Sequence, residues 1–485
     1  MLWASFAFAL LSTPLVNGLP DISRRDSSHG NFQAVCNQIA SKVSNASQVF
    51  PPSAPQYTAD NQHEFFSATQ ASTCSVEPGS VEDVSVILKI VGRTRTPFAV
   101  KGGGHTGNPG FSSTPGVQIA MTRFNAVNVN ADAGTVVVGS GLTWDNVYER
   151  LSPFNLTVAG GRIPGVGVSG LLLGGGYSYI ANQRGLGIDN VVSYDLVLPN
   201  GTFKKVTADD EDLWFGLRGI VTQFTLKSFP QGEVWGGIVT WGTDQLEASI
   251  KAIAKFATVT DPKAAILTTY AYISGDVLTT TSVFYDGPVP APGVFDDFLT
   301  IPAIQSNLST RSFADLVKSQ ISTTIPSDVR GLYCAFGPTA YSASYINDSV
   351  NEVIFWGREL TKLDPKVQIL AGIEPFTSGL LSHGTPSAYP PDRSQIYFPS
   401  GVALTWSNSS LDQVMAQSVR QAADDLQAAA LREGQNVTNA VVYPNYSLFD
   451  TPLEAMYGDN VERLQELKRT VDPGNVMNLA GGFRF

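Results

Sequence analysis

Histidine, cysteine and methionine are scarce in this sequence, with 4, 3 and 5 residues among 485. With so few histidines and cysteines no cluster forms at metal-ligand spacing, and His63 and His383 stand without such partners, so a metal site is not expected. Basic residues are also short: 31 Lys and Arg face 42 Asp and Glu, for a formal charge of −11. No cluster of four or more Lys or Arg offsets that charge, which speaks against nucleic acid and anionic lipid as partners. After the amino terminus no segment approaches ~18 consecutive apolar residues, so no membrane span is expected. Internal repeats and low-complexity tracts are missing too. A charged fraction of 15% beside 43% hydrophobic residues fits globular domains, and the length allows two or three of them.

The amino terminus, MLWASFAFALLSTPLVNG, carries an apolar run from position 2 to 11 followed by small and turn-forming residues. It reads as a secretory signal peptide over residues 1–18, although its first residues lack Lys or Arg. Eight Asn-X-Ser/Thr sequons, at Asn45, Asn155, Asn200, Asn307, Asn347, Asn408, Asn436 and Asn445, agree with a secreted glycoprotein. In an oxidising compartment Cys36 and Cys74 can close a modest disulfide loop and leave Cys334 unpaired; three buried thiols is the other reading.

Glycine is plentiful, 45 residues, and two stretches concentrate it. In PFAVKGGGHTGNP (97–109), Phe98, Ala99 and Val100 read as a strand, and the three glycines after it let backbone N–H groups approach an anion such as a pyrophosphate. Taken alone, such a run also suits a plain turn with an incidental histidine. In AGGRIPGVGVSGLLLGGGY (159–177) eight glycines carry an ordering cost that packing alone does not explain.

Around these stretches the spacing predicts a short polar helix over 31–50, a proline-rich connector over 48–57, and a strand over 74–78. A helix follows Ser80, whose cap is a capping box with Asp83 and whose buried face is Val84, Ile87, Leu88 and Val91. This β-α-β unit delivers the first glycine loop at the carboxyl end of its second strand. Strands follow over 117–121, 135–138, 191–198, 203–206 and 220–226, with a helix over 143–151. From about residue 231 glycine-dense loops stop, and strands (237–241, 265–273, 280–285) alternate with helices (245–257, 411–431), the texture of an α+β domain with an antiparallel sheet.

The motifs PFAVKGGGHT (97–106), GVGVSGLLLGGGYS (165–178), GLGIDNVVSYDLVLPNG (185–201), DLWFGLRGIVTQFTLK (212–227), YPNY (443–446) and DPGNVMNLAGGF (472–483) occur in one order. In this the chain resembles the vanillyl-alcohol-oxidase-type FAD-linked oxidases, and within them the berberine-bridge-enzyme-like secreted oxidoreductases of plants and fungi. The resemblance implies an α+β fold: a two-part PCMH-type FAD-binding domain over 19–230, an α+β substrate domain with an antiparallel sheet over 231–440, and a segment over 441–485 that returns to the FAD domain.

The same resemblance implies that Lys101, Gly102, Gly103, Gly104, His105 and Thr106 wrap the pyrophosphate, with His105 bonded covalently to the 8α carbon of FAD. From the second stretch Pro164, Val166, Gly167, Ser169, Gly170, Gly174, Gly175, Gly176 and Tyr177 would contact the cofactor, joined by Val192 and Asn445. Some relatives add a cysteine link; Ile163 stands at that position, so a single link through His105 is expected. Val166, small where a leucine would favour dehydrogenases, points to an oxidase that hands electrons to dioxygen. Tyr443 and Tyr446 are the two candidates for the base; a phenol with its usual pKa near 10 needs help to act at neutral pH. If Asn445 faces the flavin it should carry no glycan.

Between Gly219 and Ile220 the resemblance implies, as in most relatives, a further glycine-rich segment, which this chain lacks. The activity that the resemblance implies is nevertheless that of a secreted FAD oxidase, expected as a monomer. It would take hydride from a small alcohol, sugar or secondary metabolite and release hydrogen peroxide. The alternatives are a flavin dehydrogenase with another acceptor, or a non-catalytic relative impaired by the missing segment.

Overall fold

The structure, a computed structural model, describes residues 32–320 and 328–485. The expected signal peptide lies outside them.

Ser80 caps the helix Val81–Thr94 by accepting from the Asp83 N–H at 3.2 Å. The capping box is only half formed. The Asp83 carboxylate turns away to accept from the Ser44 N–H and hydroxyl and from the Ser47 hydroxyl, at 2.8, 2.6 and 2.6 Å, and so ties down the preceding loop. Val84, Ile87, Leu88 and Val91 are fully buried, as their spacing requires, against Val76, Phe98, Val117 and Ile119. Each such side chain contributes about 1.5–3 kcal/mol of burial.

This helix crosses a four-stranded sheet of order Gln48–Phe50, Cys74–Glu77, Val117–Ala120, Phe98–Lys101. The β-α-β unit is present, but its two strands are not neighbours: Val117–Ala120 sits between them, parallel to both. Two expectations need correction. The helix expected over 31–50 ends at Ala40, and the expected connector over 48–57 holds the edge strand Gln48–Phe50 and the start of the helix Pro55–Asn61. The proline at the first helical position lacks the N–H that would otherwise go unbonded there.

A second sheet, antiparallel, runs Val127–Asn130, Thr135–Gly139, Ile220–Lys227, Val191–Val197, Phe203–Val206. The chain then enters an eight-stranded antiparallel sheet, beginning with Val234–Trp241 and Asp276–Tyr285 paired to Ala264–Ile273. Gln368–Ile373, Ser400–Trp406 and Arg330–Phe336 complete its far side. The helices Leu246–Phe256, Ala343–Leu360 and Asp412–Arg432 share one core with that sheet. No helix of the described residues is long and apolar enough to cross a membrane.

The last residues return to the first sheet's surroundings. Arg95 donates to the Gly474 carbonyl at 2.7 Å, Val476 packs on Gly92, and Phe483 meets Phe111 edge-on at 4.9 Å.

Cys36 and Cys74 are joined in a disulfide that closes a 38-residue separation, and Cys334 is free and buried. The bond ties the first described helix to the first sheet, and loop-closure entropy assigns it about 4 kcal/mol. The Cys36→Ser/Cys74→Ser double variant is expected to melt a few degrees lower by calorimetry; an unchanged Tm would contradict that.

Candidate active site

The two glycine stretches meet backbone to backbone. A Cβ added at Gly103 would fall 2.5 Å from the Gly167 nitrogen, and one at Gly167 would fall 2.4 Å from the Gly103 nitrogen. A Cβ at Gly102 would strike the Ser169 hydroxyl, which donates to the Ser140 carbonyl at 2.5 Å. Gly104, Gly175 and Gly176 have φ of +74°, +114° and +87°, a region that L side chains avoid. Beside Gly165 and Gly170, by contrast, a Cβ would meet open space.

Among the described residues, no backbone carbonyl accepts from the N–H groups of Gly103, Gly104, His105 or Thr106, and the buried Ser140 hydroxyl has no partner. Such a run of unpaired backbone donors, opened by glycines without side chains, fits the pyrophosphate of a dinucleotide. Pro164 and Val166 are half-buried at its edge, and the Val166 carbonyl accepts from Trp144.

Thr106 accepts from the Asn108 N–H at 3.2 Å, and the Asn108 amide donates to the Ser447 carbonyl at 2.8 Å, which ties the first loop to the carboxyl-terminal segment. His105 leaves about one-third of its side chain exposed, its Nδ1 3.7 Å from a Glu64 carboxylate oxygen. Directly behind, His63 is buried, with Nδ1 on the Asn61 carbonyl at 2.8 Å and Nε2 on the Ser112 hydroxyl at 2.8 Å. Burial pushes its pKa down to about 4, so the ring is neutral.

Two of the expected contacts are placed differently. The Lys101 ammonium turns away from the cradle to donate to the Ala59 carbonyl at 3.0 Å near Asp60, its stem running under Gly104. Val192 alternates outward from the buried Val191 and Ser193 and is 39% exposed.

The third part is a cluster of tyrosines. Asn445 lies against Gly174, where a Cβ would sit 2.3 Å from its side-chain oxygen, and it donates to the Leu171 carbonyl at 3.3 Å and the Tyr443 hydroxyl at 2.9 Å. Tyr177 meets Tyr443 edge-on at 4.9 Å and shares a 3.1 Å hydrogen bond with Tyr389. Tyr446 meets Tyr443 edge-on at 5.0 Å and donates to Glu374 at 2.9 Å. The other Glu374 oxygen accepts from Arg162 at 2.5 Å, and both members of that ion pair are buried. Burial pushes the Tyr443 phenol up to about 12, while the Asn445 bond pulls the other way. Burial, and then the Glu374 charge, raise Tyr446 further. Neither phenol ionises by itself at neutral pH.

Sequence reasoning missed Arg162, Glu374, Tyr389 and Glu64. Arg162 did leave a signal: it is a cation inside a glycine run, directly before Ile163. Glu374 is a lone carboxylate ending the apolar strand Gln368–Ile373. A cavity of about 330 Å³ lined by Asn182, Thr258, Phe376 and Gly379 backs onto this cluster, since the Phe376 ring lies 5.1 Å from Tyr177.

Where the resemblance implies a further glycine-rich segment, Gly219, at φ +141°, leads directly into the strand that pairs Ile220 with Val197, and the register of that pairing shifts between Val221 and Gln223. Arg218 lies over the ring of Phe485 at 4.9 Å, with one guanidinium nitrogen buried and unpartnered.

Residues 72–207 match the FAD binding domain family, and residues 442–482 match the family described as Berberine and berberine like. The FAD-dependent monooxygenase drtC of Aspergillus calidoustus is 31% identical, over 87% of this chain and 85% of that protein. The FAD-dependent monooxygenase macF of Penicillium terrestre is 28% identical, over 92% and 88%. Among solved structures, berberine bridge enzyme from Eschscholzia californica superposes with a TM-score of 0.73 at 17% identity, covering 94% of this chain and all of that one. 6-Hydroxy-D-nicotine oxidase from Arthrobacter nicotinovorans gives 0.71 at 17% identity, over 91% and 98%.

The neutral His63 behind the first loop makes stability depend on pH. The unfolded chain takes up a proton near pH 6.5 that the folded imidazole refuses until about pH 4. Stability is therefore lost as pH falls through that window, by about 3 kcal/mol from this group. His63→Gln should flatten the dependence of Tm on pH between 6.5 and 4; an unaltered slope would contradict the assignment.

Proposed function

The chain belongs to the berberine-bridge-enzyme-like family of FAD-dependent oxidoreductases, and on that premise we propose that it is a secreted oxidase holding FAD covalently through His105. Bound FAD would supply the hydride acceptor and pass electrons on to dioxygen, giving hydrogen peroxide. The N–H groups of Gly103 to Thr106 and the Ser140 hydroxyl would hold the pyrophosphate, with Asn445 and the Gly174–Gly176 turn against the ring system.

The observation that carries the reading is the chain Arg162, Glu374, Tyr446, its ion pair buried and its tyrosine half-buried, lying against Tyr443 and the second glycine stretch. Since the Tyr446 hydroxyl already points its proton at Glu374, its oxygen is free to accept a proton from a substrate O–H or N–H. Its own proton then passes to the carboxylate. Glu374 is the terminal acceptor, and Arg162, bonded to its other oxygen, holds it in place for that transfer. This removes the need for a free phenolate, which burial forbids. Tyr443, held by Asn445, can donate a hydrogen bond that orients the substrate.

Val166 at the edge of the cradle leaves room for dioxygen. The disulfide, together with Asn45, Asn155, Asn200, Asn347, Asn408 and Asn436, all exposed, supports passage through an oxidising, glycosylating compartment. Asn445 is exposed as well, but its amide is committed to Tyr443 and Leu171, which argues against a glycan there.

The names of the fungal relatives favour a second reading, a monooxygenase that places one dioxygen atom in the product. A panel of alcohols, sugars and phenolic metabolites under isotopically labelled dioxygen separates the two. The oxidase reading expects peroxide in step with product and no label in it; labelled product would establish the monooxygenase instead. Tyr446→Phe and Glu374→Gln should each lower kcat by about 10²–10⁴-fold while flavin stays bound. Val166→Leu should slow reoxidation by dioxygen in stopped flow, and reoxidation that is already slow in the wild type would point to the dehydrogenase.

A further inference from the structure

We propose that Glu64 makes His105 competent to bond to the flavin: its carboxylate stabilises the positive charge that alkylation builds on the imidazole and takes the proton that the ring sheds. This rests on the reading that His105 carries the cofactor.

The placement of Glu64 is built, not incidental. Its backbone N–H donates to the Gly104 carbonyl at 3.0 Å, which fixes it alongside the residue preceding His105. On either side the chain is immobilised, by the two hydrogen bonds of His63 and by the buried Phe65 ring, which lies on Gly331 and meets Tyr333 edge-on at 5.4 Å. From that brace the Glu64 carboxylate reaches 3.7 Å from the His105 Nδ1, and both side chains remain about one-third exposed. His63 cannot serve in its place, since both its ring nitrogens are engaged inside. Lys101, the nearest cation of the loop, points away to the Ala59 carbonyl. Glu64 therefore faces the imidazole edge without a competing cation from the loop itself.

Attachment breaks one N–H bond of His105 and one C–H bond of the flavin 8α-methyl group and forms one C–N bond. Two electrons enter the flavin, and dioxygen, the acceptor already proposed, removes them with two protons as hydrogen peroxide. An imidazole alkylated before losing its N–H proton is a cation, and a carboxylate at this distance favours it both as a counter-charge and as a base.

The experiment adds FAD in air to protein produced free of flavin. It follows two quantities, the fraction of the His105 peptide carrying FAD by mass spectrometry and the affinity for FAD by fluorescence quenching. Glu64→Gln should attach flavin at least about tenfold more slowly with an affinity within about twofold of wild type. Acetate or formate should restore the rate in Glu64→Ala. Wild-type attachment by Glu64→Gln overturns the proposal while leaving the His105 link standing. A slow variant that has also lost its affinity for FAD makes Glu64 a structural residue and overturns it equally. Wild-type protein that binds FAD yet never acquires it on His105 overturns the link itself, and this inference with it.

Discussion

Gly103 and Gly167 touch through their backbones, and neither position has room for a side chain. From that contact the rest of the site follows. It places the loop after the strand Phe98–Lys101 against the turn that opens the second glycine stretch. Beside it lie the N–H groups of Gly103 to Thr106, without a backbone acceptor among the described residues, and the partly exposed His105. A third interlock closes the arrangement, with Asn445 lying on Gly174 and Asn108 reaching the Ser447 carbonyl. Three segments far apart in sequence thus define one site, none of them sufficient alone.

The second constraint is electrostatic. Arg162 and Glu374 have left water, and each would be costly to bury unpaired. What compensates is their mutual bond and the Tyr446 hydroxyl on the remaining carboxylate oxygen. Such a pair is weak support for stability but strong support for orientation, because it gives the Tyr446 proton a single direction. It also spans the molecule: Arg162 comes from the glycine-rich stretch, Glu374 from the end of a strand in the large sheet, and Tyr446 from the returning segment.

Much of this was legible in the sequence. The capped helix after Ser80, the strands on either side of the glycine loop, the antiparallel sheet beyond residue 231 and the Cys36–Cys74 pairing follow from local periodicity, turn chemistry and cysteine spacing. What was not legible is contact between distant segments. Capping statistics expected Asp83 to serve its own helix, whereas its carboxylate serves Ser44 and Ser47. Local strand order does not reveal that Val117–Ala120 slips between the strands of the β-α-β unit. Lys101 sits within the glycine motif, yet a side chain under a positive-φ glycine finds its partner on the inner side. Glu64 and Glu374 carry no motif at all; they matter only through what the fold brings to them. Past Gly219 the pairing starts at once, Ile220 with Val197 and Val221 with Leu196, and a register shift follows between Val221 and Gln223, an irregularity that no local pattern announces.

In the function proposed above, these interlocked glycine turns form a flavin cradle with His105 as its tether. The most direct measurement is the visible absorption spectrum of the purified, folded protein before and after acid precipitation. A flavin tethered through His105 gives flavin bands in the native protein that remain with the precipitate. A folded but colourless protein, or one that gives up all its colour to the supernatant, would contradict it.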